Sequence, residues 1–235
     1  MTDVHARLLE LCRRHGVRDD AAAQLETLLA LVRAEPTSVT AVRDPRQAAD
    51  LHVADSLAGL AVDELRRASA ICDIGAGAGF PGLALAVALP AAHVTLIESV
   101  RKKCDFLERA MAEMGVANVA VCCARAEEWA AGLGTQHVVT ARALAPLAVL
   151  VEYAAPLLAL DGLLVAWKAR PEPGEEADGA AAAATLGLEL AEVVRVEPFA
   201  GSRDRRLYVY RKVRETPPGY PRRAGMARKR PLRAG

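Results

Sequence analysis

The 235 residues are 52% hydrophobic, enough to bury a full core and too few for two large domains. No apolar run approaches the roughly 18 residues of a membrane-spanning helix, and the first residues show no secretory pattern, which argues against membrane and exported classes and for a cytoplasmic chain. The formal charge of +1 hides an asymmetry: residues 201–235 hold 12 Lys or Arg against Asp204 and Glu215, leaving 18 basic and 27 acidic residues in 1–200.

In chain order, the first 34 residues read as two amphipathic helices broken at Gly16. Leu8, Leu9, Leu11 and Cys12 form one apolar stripe, and Leu25, Leu28, Leu29 and Val32 the next. Asp19 or Asp20 can cap the second helix, and Pro36 closes it. Residues 35–47 read as a loop, and Ala48 to Leu60 as a third helix that brings His52, Asp55 and Ser56 to neighbouring parts of its surface. From residue 69 short apolar runs (69–74, 93–98, 118–123, 137–141 and 162–168) alternate with helical stretches (81–89, 100–114, 126–131 and 146–159). Pro146 suits a first helical turn and Gly115 a helix end. Strands alternating with helices predict a parallel, doubly wound α/β sheet. Residues 170–179 read as a polar connector and Ala180–Ala184 as helical. Two final runs, 188–197 and 206–213, form a hairpin through Gly201–Asp204. The predicted organisation is an N-terminal helical cap (1–66), an α/β domain (67–214) and a basic tail (215–235).

The five cysteines (12, 72, 104, 122 and 123) are odd in number and form no CxxC pair. Cys72 sits in a predicted strand, so they read as core thiols of a reducing compartment, and no metal site is expected.

The chemistry concentrates at Ile71-Cys-Asp-Ile-Gly-Ala-Gly-Ala-Gly-Phe-Pro-Gly82, a strand that breaks into glycines and then a helix. Such a turn lets a backbone approach a nucleotide closely. Gly77 to Gly82 satisfies G-x-G-x-x-G, and Glu98 follows 21 positions after Gly77, which would suit NAD. In that frame, however, Asp73 has no purpose and no second domain holds a hydride acceptor. In the other frame Gly75, Gly77 and Gly79 make the turn. Asp73 then faces a cation, Glu98 at the end of the second strand accepts ribose hydroxyls, and the helix start at Pro81 attracts a carboxylate. That set fits S-adenosylmethionine (SAM), whose sulfonium is cationic. Ala126 and Glu127 follow the third strand, where they can supply a backbone group and a carboxylate to adenine, or simply begin a helix. Arg142 ends the fourth strand, on the side where open sheets hold ligands. Five parallel strands closed by a C-terminal antiparallel strand are the outline of a class I SAM-dependent methyltransferase, Rossmann-like, with N-terminal helices. The basic end fits a polyanion, and Tyr208, Tyr210 and Tyr220 within it are candidates for stacking on unpaired bases.

Taken together, five segments are similar to the RsmG (glucose-inhibited division protein B) family: Ser38–Asp44, His52–Leu57, Asp73–Leu83, Ile97–Leu107 and Thr140–Leu147. The tail, Thr216–Gly225 with Lys229–Leu232, resembles the ending of many members. The resemblance covers nearly the whole chain. It implies methylation of a guanosine of 16S ribosomal RNA at N7 with SAM as cofactor. It places Gly75, Phe80, Ala126, Glu127 and Arg142 in contact with SAM and Glu98 on its ribose. It also places Arg43, His52, Asp55 and Lys168 on the RNA-facing side. The chain departs from the family at Ser38, His137, Ala169 and Ala227, which bears on local loop shape and RNA fit. Guanine N7 carries a lone pair and no proton, so no general base is required. Arg142, Lys168 and His52 are the candidate catalytic side chains. Lys or Arg of the tail (Arg222, Arg223, Arg228, Lys229 and Arg230), with Arg43 and Lys168, are the expected phosphate contacts. The expected partner is 16S rRNA or the 30S subunit, met by a monomer. The alternatives are a SAM enzyme for another RNA site and a non-catalytic RNA-binding protein of the same fold.

Overall fold

The computed structural model describes residues 3–35, 42 and 44–235. Arg43 and most of the Ser38–Asp44 segment lie outside them. Helices α1 (Asp3–Arg14) and α2 (Ala21–Ala34) pack through the two predicted leucine stripes, with Leu8, Leu11, Leu25 and Leu28 fully buried. Gly16 reverses the chain between them at φ +67°. Asp20 stands at the α2 cap position but makes no side-chain cap bond; it pairs with Arg18 instead.

The third helix starts earlier than its apolar pattern suggests. Asp44 accepts from the Gln47 amide, and Pro45 opens α3 (Pro45–Ala48). The chain then widens into a π-helical turn, Ala49–Ala54, before α4 (Asp55–Leu57), a 3₁₀ turn (Ala58–Ala61) and α5 (Asp63–Arg67). Within helices, π turns concentrate at functional sites, and this one carries His52.

Strand β1 (Ala70–Ile74) opens the alternation, followed by α6 (Gly82–Ala88), β2 (His93–Ile97), α7 (Arg101–Met114), β3 (Val119–Cys122), β4 (Gln136–Arg142), α8 (Leu147–Ala154), β5 (Leu158–Lys168), α9 (Glu175–Leu186), β6 (Leu188–Val196), β7 (Arg205–Lys212) and a short α10 (Met226–Lys229). The seven strands run in the order β3-β2-β1-β4-β5-β7-β6, and only β7 is antiparallel to its neighbours. Alternate residues of β1 feed opposite layers, Ile71 toward α1, α2, α6 and α7, and Cys72 and Ile74 toward α8 and α9. This is the predicted doubly wound sheet.

Three expectations change. Residues 126–131 form two 3₁₀ turns (Ala126–Glu128 and Ala130–Gly132), too short for an α-helix. Helix α8 ends at Ala154, and β5 begins at Leu158; an unbroken apolar run does not mark that boundary. Helix α9 starts at Glu175, inside the expected connector, because the Glu175 carboxylate is buried and accepts the Leu147 and Glu172 amides. All five cysteines are free thiols, and no helix among the described residues is long and apolar enough to cross a membrane.

Candidate active site at the carboxyl edge of the sheet

The strand order reverses between β1 and β4, and a crevice opens there outside the carboxyl ends of the strands. A cleft of about 600 Å³ fills it. Gly75–Ala78 and Phe80 form its floor. Ile97–Val100 with Lys103, then Ala124–Glu127, form one side; Arg142–Leu144 with His52, Tyr153 and Arg228 form the other.

The glycine loop has a conformational reason. Gly75, Gly77 and Gly79 take φ of +71°, +57° and +91°, which L side chains rarely adopt. The Gly75 and Ala76 amides donate to the Ile97 carbonyl at 2.8 and 3.0 Å, tying the turn to the end of β2. A Cβ added at Gly75 would come within 2.6 Å of Leu144 Cδ1.

Asp73 has another role than the expected one. Only 1% exposed, it does not border the cleft. Its Oδ1 accepts from Thr140 Oγ1 and its Oδ2 from the Gly82 amide, both at 2.9 Å, so it joins β1, β4 and the first turn of α6. Burial pushes its pKa up to about 7, against the pull of those two hydrogen bonds. The helix-start donor expected to receive a cofactor carboxylate is therefore taken by Asp73. Gly79 likewise packs against Leu83 rather than the cleft.

Glu98 borders the cleft at the end of β2. At 6% exposure, its Oε2 accepts the Gly77 amide (3.1 Å) and its Oε1 the Val100 amide (2.9 Å). A carboxylate has about four acceptor sites, so both oxygens can still take hydroxyl protons from the cleft. Ala126 and Glu127 line the same side of the cleft; Glu127 Oε1 already accepts the Gly225 amide of the tail at 2.8 Å.

Arg142 organises the other wall. Its Nη1 donates to Asp55 Oδ2 at 2.9 Å, with longer contacts to the Leu51 and His52 carbonyls. Its guanidinium carbon lies 5.6 Å from the Phe80 ring centroid, and Phe80 stacks on His52 at 5.0 Å and 17°. Asp55, a possible partner for His52 on sequence grounds, gives its carboxylate to Arg142 and, at 3.7 Å, to Arg205. Burial holds His52 down at about pKa 4, helped by Arg142 and opposed by Asp55, so the ring is neutral at physiological pH. Ala143 follows at φ +53°, a strained position for a non-glycine residue beside the cleft. Sequence reasoning missed Ala143, Leu144 and Tyr153, since nothing in their residue types marks them.

Lys168 lies off the cleft, its Nζ 2.5 Å from Glu175 Oε1. The basic end divides into two parts. Arg205, Arg206, Arg211 and Lys212 belong to β7, and Lys212 Nζ is buried on the Ala155 and Leu158 carbonyls. Tyr208 and Tyr210, expected as stacking faces, are 1% exposed because their side chains stand on the face of the sheet covered by α8 and α9. The rest of the tail folds back onto the domain. Arg222 pairs with Glu152, itself 2% exposed, and bonds the Arg230 carbonyl. Arg228 donates to the Leu144 carbonyl at 2.9 Å and borders the cleft. Arg223, Lys229 and Arg230 are exposed.

Residues 22–205 match the family model described as rRNA small subunit methyltransferase G. The chain is 40% identical over 224 residues to the ribosomal RNA small subunit methyltransferase G of Rubrobacter xylanophilus, covering 93% of this chain and 86% of that one. It is 34% identical over 201 residues to the Bacillus subtilis protein of the same name, covering 84% of each. Among solved structures it is similar to a predicted O-methyltransferase from Agrobacterium tumefaciens (TM-score 0.53, 26% identity, 68% of this chain and 80% of that one). The mitomycin 7-O-methyltransferase shares the fold (TM-score 0.58, 16% identity, 90% and 69%).

Proposed function

The chain belongs to the rRNA small subunit methyltransferase G family, and from that premise we infer that it transfers a methyl group from SAM to N7 of a guanosine in 16S rRNA. It is a class I, SAM-dependent enzyme. The observation that carries the reading is Glu98, a carboxylate fixed by two backbone amides at the end of β2, facing a glycine turn whose three positive φ angles favour glycine.

The residues present fit SAM. Glu98 would hold the ribose hydroxyls, Ala126 and Glu127 the adenine edge, and the Gly75–Gly77 backbone the methionine side of the cleft. When bound, SAM supplies an electrophilic methyl on a sulfonium. This chain's own task is then orientation, which can contribute roughly 7–11 kcal/mol to such a transfer. No side chain need remove a proton, because N7 has none. A neutral His52 stacked on Phe80, with Arg142 against that ring, offers a flat wall and a hydrogen-bond donor suited to a planar purine. Asp73 keeps the loop in shape from behind.

The guanine must be unpaired or unstacked for N7 to be reached, since the major groove of A-form RNA is narrow. Exposed tail cations Arg223, Lys229 and Arg230 would meet phosphate, whereas Arg222 and Lys168 pair with Glu152 and Glu175. Residues 1–66 act as a helical cap, 67–214 as the catalytic domain and 215–235 as a strap across it, in a cytoplasmic monomer. The test is transfer of labelled methyl from SAM to 30S subunits lacking the modification, and to free 16S rRNA. The wild-type protein labels RNA in at least one form, and Gly75→Asp, which projects a carboxylate from the turn, does not while keeping its circular dichroism. Label on neither RNA, or equal label from both proteins, would reject the reading.

A further inference from the structure

Strand β7 runs antiparallel, so its first residues lie at the same carboxyl edge of the sheet as the methyl-transfer cleft. There Lys168 of β5 stands beside Arg206 of β7, and Arg206 stands directly opposite Arg195 of β6. Like charges facing each other across strands are destabilising. The fold compensates them unevenly. Lys168 has Glu175 at 2.5 Å, and Arg206 reaches Glu176 only at 3.8 Å. Arg206 Nε is buried without a hydrogen-bond partner. Arg195 and Arg203 are exposed and make no ion pair among the described residues. A cavity of about 390 Å³ opens between these side chains, bordered also by Arg205, with Glu197 and Asp204 as its acidic members. Arg14 closes in from α1, donating to the Glu197 and Pro198 carbonyls.

We propose that this arginine-lined face of the β6–β7 hairpin is the track for the phosphate backbone of the RNA substrate, separate from the basic tail. The inference rests on the rRNA methyltransferase reading. Guanidinium groups match phosphate and carboxylate oxygens alike; continuity with the cleft is what favours RNA over an acidic protein. Arg205 shares Asp55 with Arg142, so the face continues into the cleft wall, and a strand with one base in the cleft must lay its neighbouring phosphates along this edge.

The test compares the wild type with the double variant Arg195→Gln/Arg203→Gln, whose exposed side chains make no ion pair among the described residues. Methyl transfer to transcribed 16S rRNA and to 30S subunits is followed across a salt series, with SAM affinity by calorimetry. For two lost phosphate contacts, the KM for RNA rises about tenfold and the slope of log affinity against log salt falls by about 1.4. The loss falls on KM rather than kcat, and SAM affinity is retained. Arg67→Gln, which removes one charge at the opposite, amino edge of the sheet, shows what a charge lost away from this face does. A KM and salt slope matching wild type or Arg67→Gln would overturn the proposal. If the wild type methylates both forms, a defect of the variant on 30S subunits alone would also overturn it, by assigning the face to a protein. If the wild type neither methylates nor binds RNA, the function itself fails. If the wild type methylates RNA and the double variant behaves like it, this face alone is misassigned.

Discussion

Arg142 connects more of the site than any other side chain. It neutralises Asp55, lies against Phe80 and borders the cleft, at the end of a strand where a sequence reader can place it but not name its partner. Arg142→Gln leaves Asp55, 4% exposed, with only the more distant Arg205, and removing one partner of a buried pair costs roughly 3 kcal/mol. Urea unfolding should show that loss, together with weakened SAM binding; an unchanged midpoint would mean Arg205 takes over. Protonation supplies a second residue-scale prediction. Burial holds both His15 and His52 at about 4, below the unfolded value near 6.5, so unfolding takes up protons and stability falls as pH drops from 6.5 toward 4. Asp73 acts oppositely: folded at about 7 and unfolded near 3.9, it releases a proton on unfolding across the same window. Asp73→Asn removes that offset, so its urea midpoint should fall more steeply between pH 6.5 and 4.5 than the wild type's; parallel profiles would refute the burial assignment. Glu98 and the turn glycines were readable because their spacing encodes a backbone shape. The purpose of Asp73 was not, because an acid before a glycine turn reads the same whether it faces a ligand or braces the loop.

At the level of elements, the tail is the part least visible in the sequence. A run rich in Arg, Pro and Gly suggests a solvated terminus. Its anchors are contacts with residues 70 or more positions away: Arg222 with Glu152, the Gly225 amide with Glu127, and Arg228 with the Leu144 carbonyl. Glu127 accepts the tail's Gly225 amide and also borders the cleft, so the proposed adenine contact would couple seating the tail to holding the cofactor. Glu152→Gln removes the charge that holds Arg222. It should expose the tail to trypsin at Arg222 and Arg223 and lower SAM affinity several-fold, as judged by limited proteolysis and calorimetry; a tail still protected would show that Ala227 and Tyr220 anchor it alone. The strands, by contrast, were legible to within a few residues, except β5, whose start is blurred by an uninterrupted apolar stretch. The π turn at Ala49–Ala54 left no trace in the apolar period, since one extra residue per turn does not disturb so short a stripe.

Over the whole molecule, sheet order explains both the charge asymmetry and the location of the chemistry. Reversal between β1 and β4 makes the cleft, and the antiparallel β7 returns arginines to the same edge, so an acidic body presents a basic margin where a polyanion is handled. The doubly wound fold follows from alternation of strands and helices alone, and the glycine turn with Glu98 marks a nucleoside site; SAM rather than NAD comes from family membership, because Asp73, which argued for a cation, braces the loop instead. The base and the atom methylated come from family membership, because an N7 lone pair demands no acid–base signature in the chain. The most direct test digests 16S rRNA after incubation of unmodified 30S subunits with the protein and methyl-labelled SAM, and locates the label by mass. The account predicts one methyl on a single guanine, in the N7 position that makes the strand labile to cleavage after reduction; label on an exocyclic amine, on ribose or on another base would contradict it.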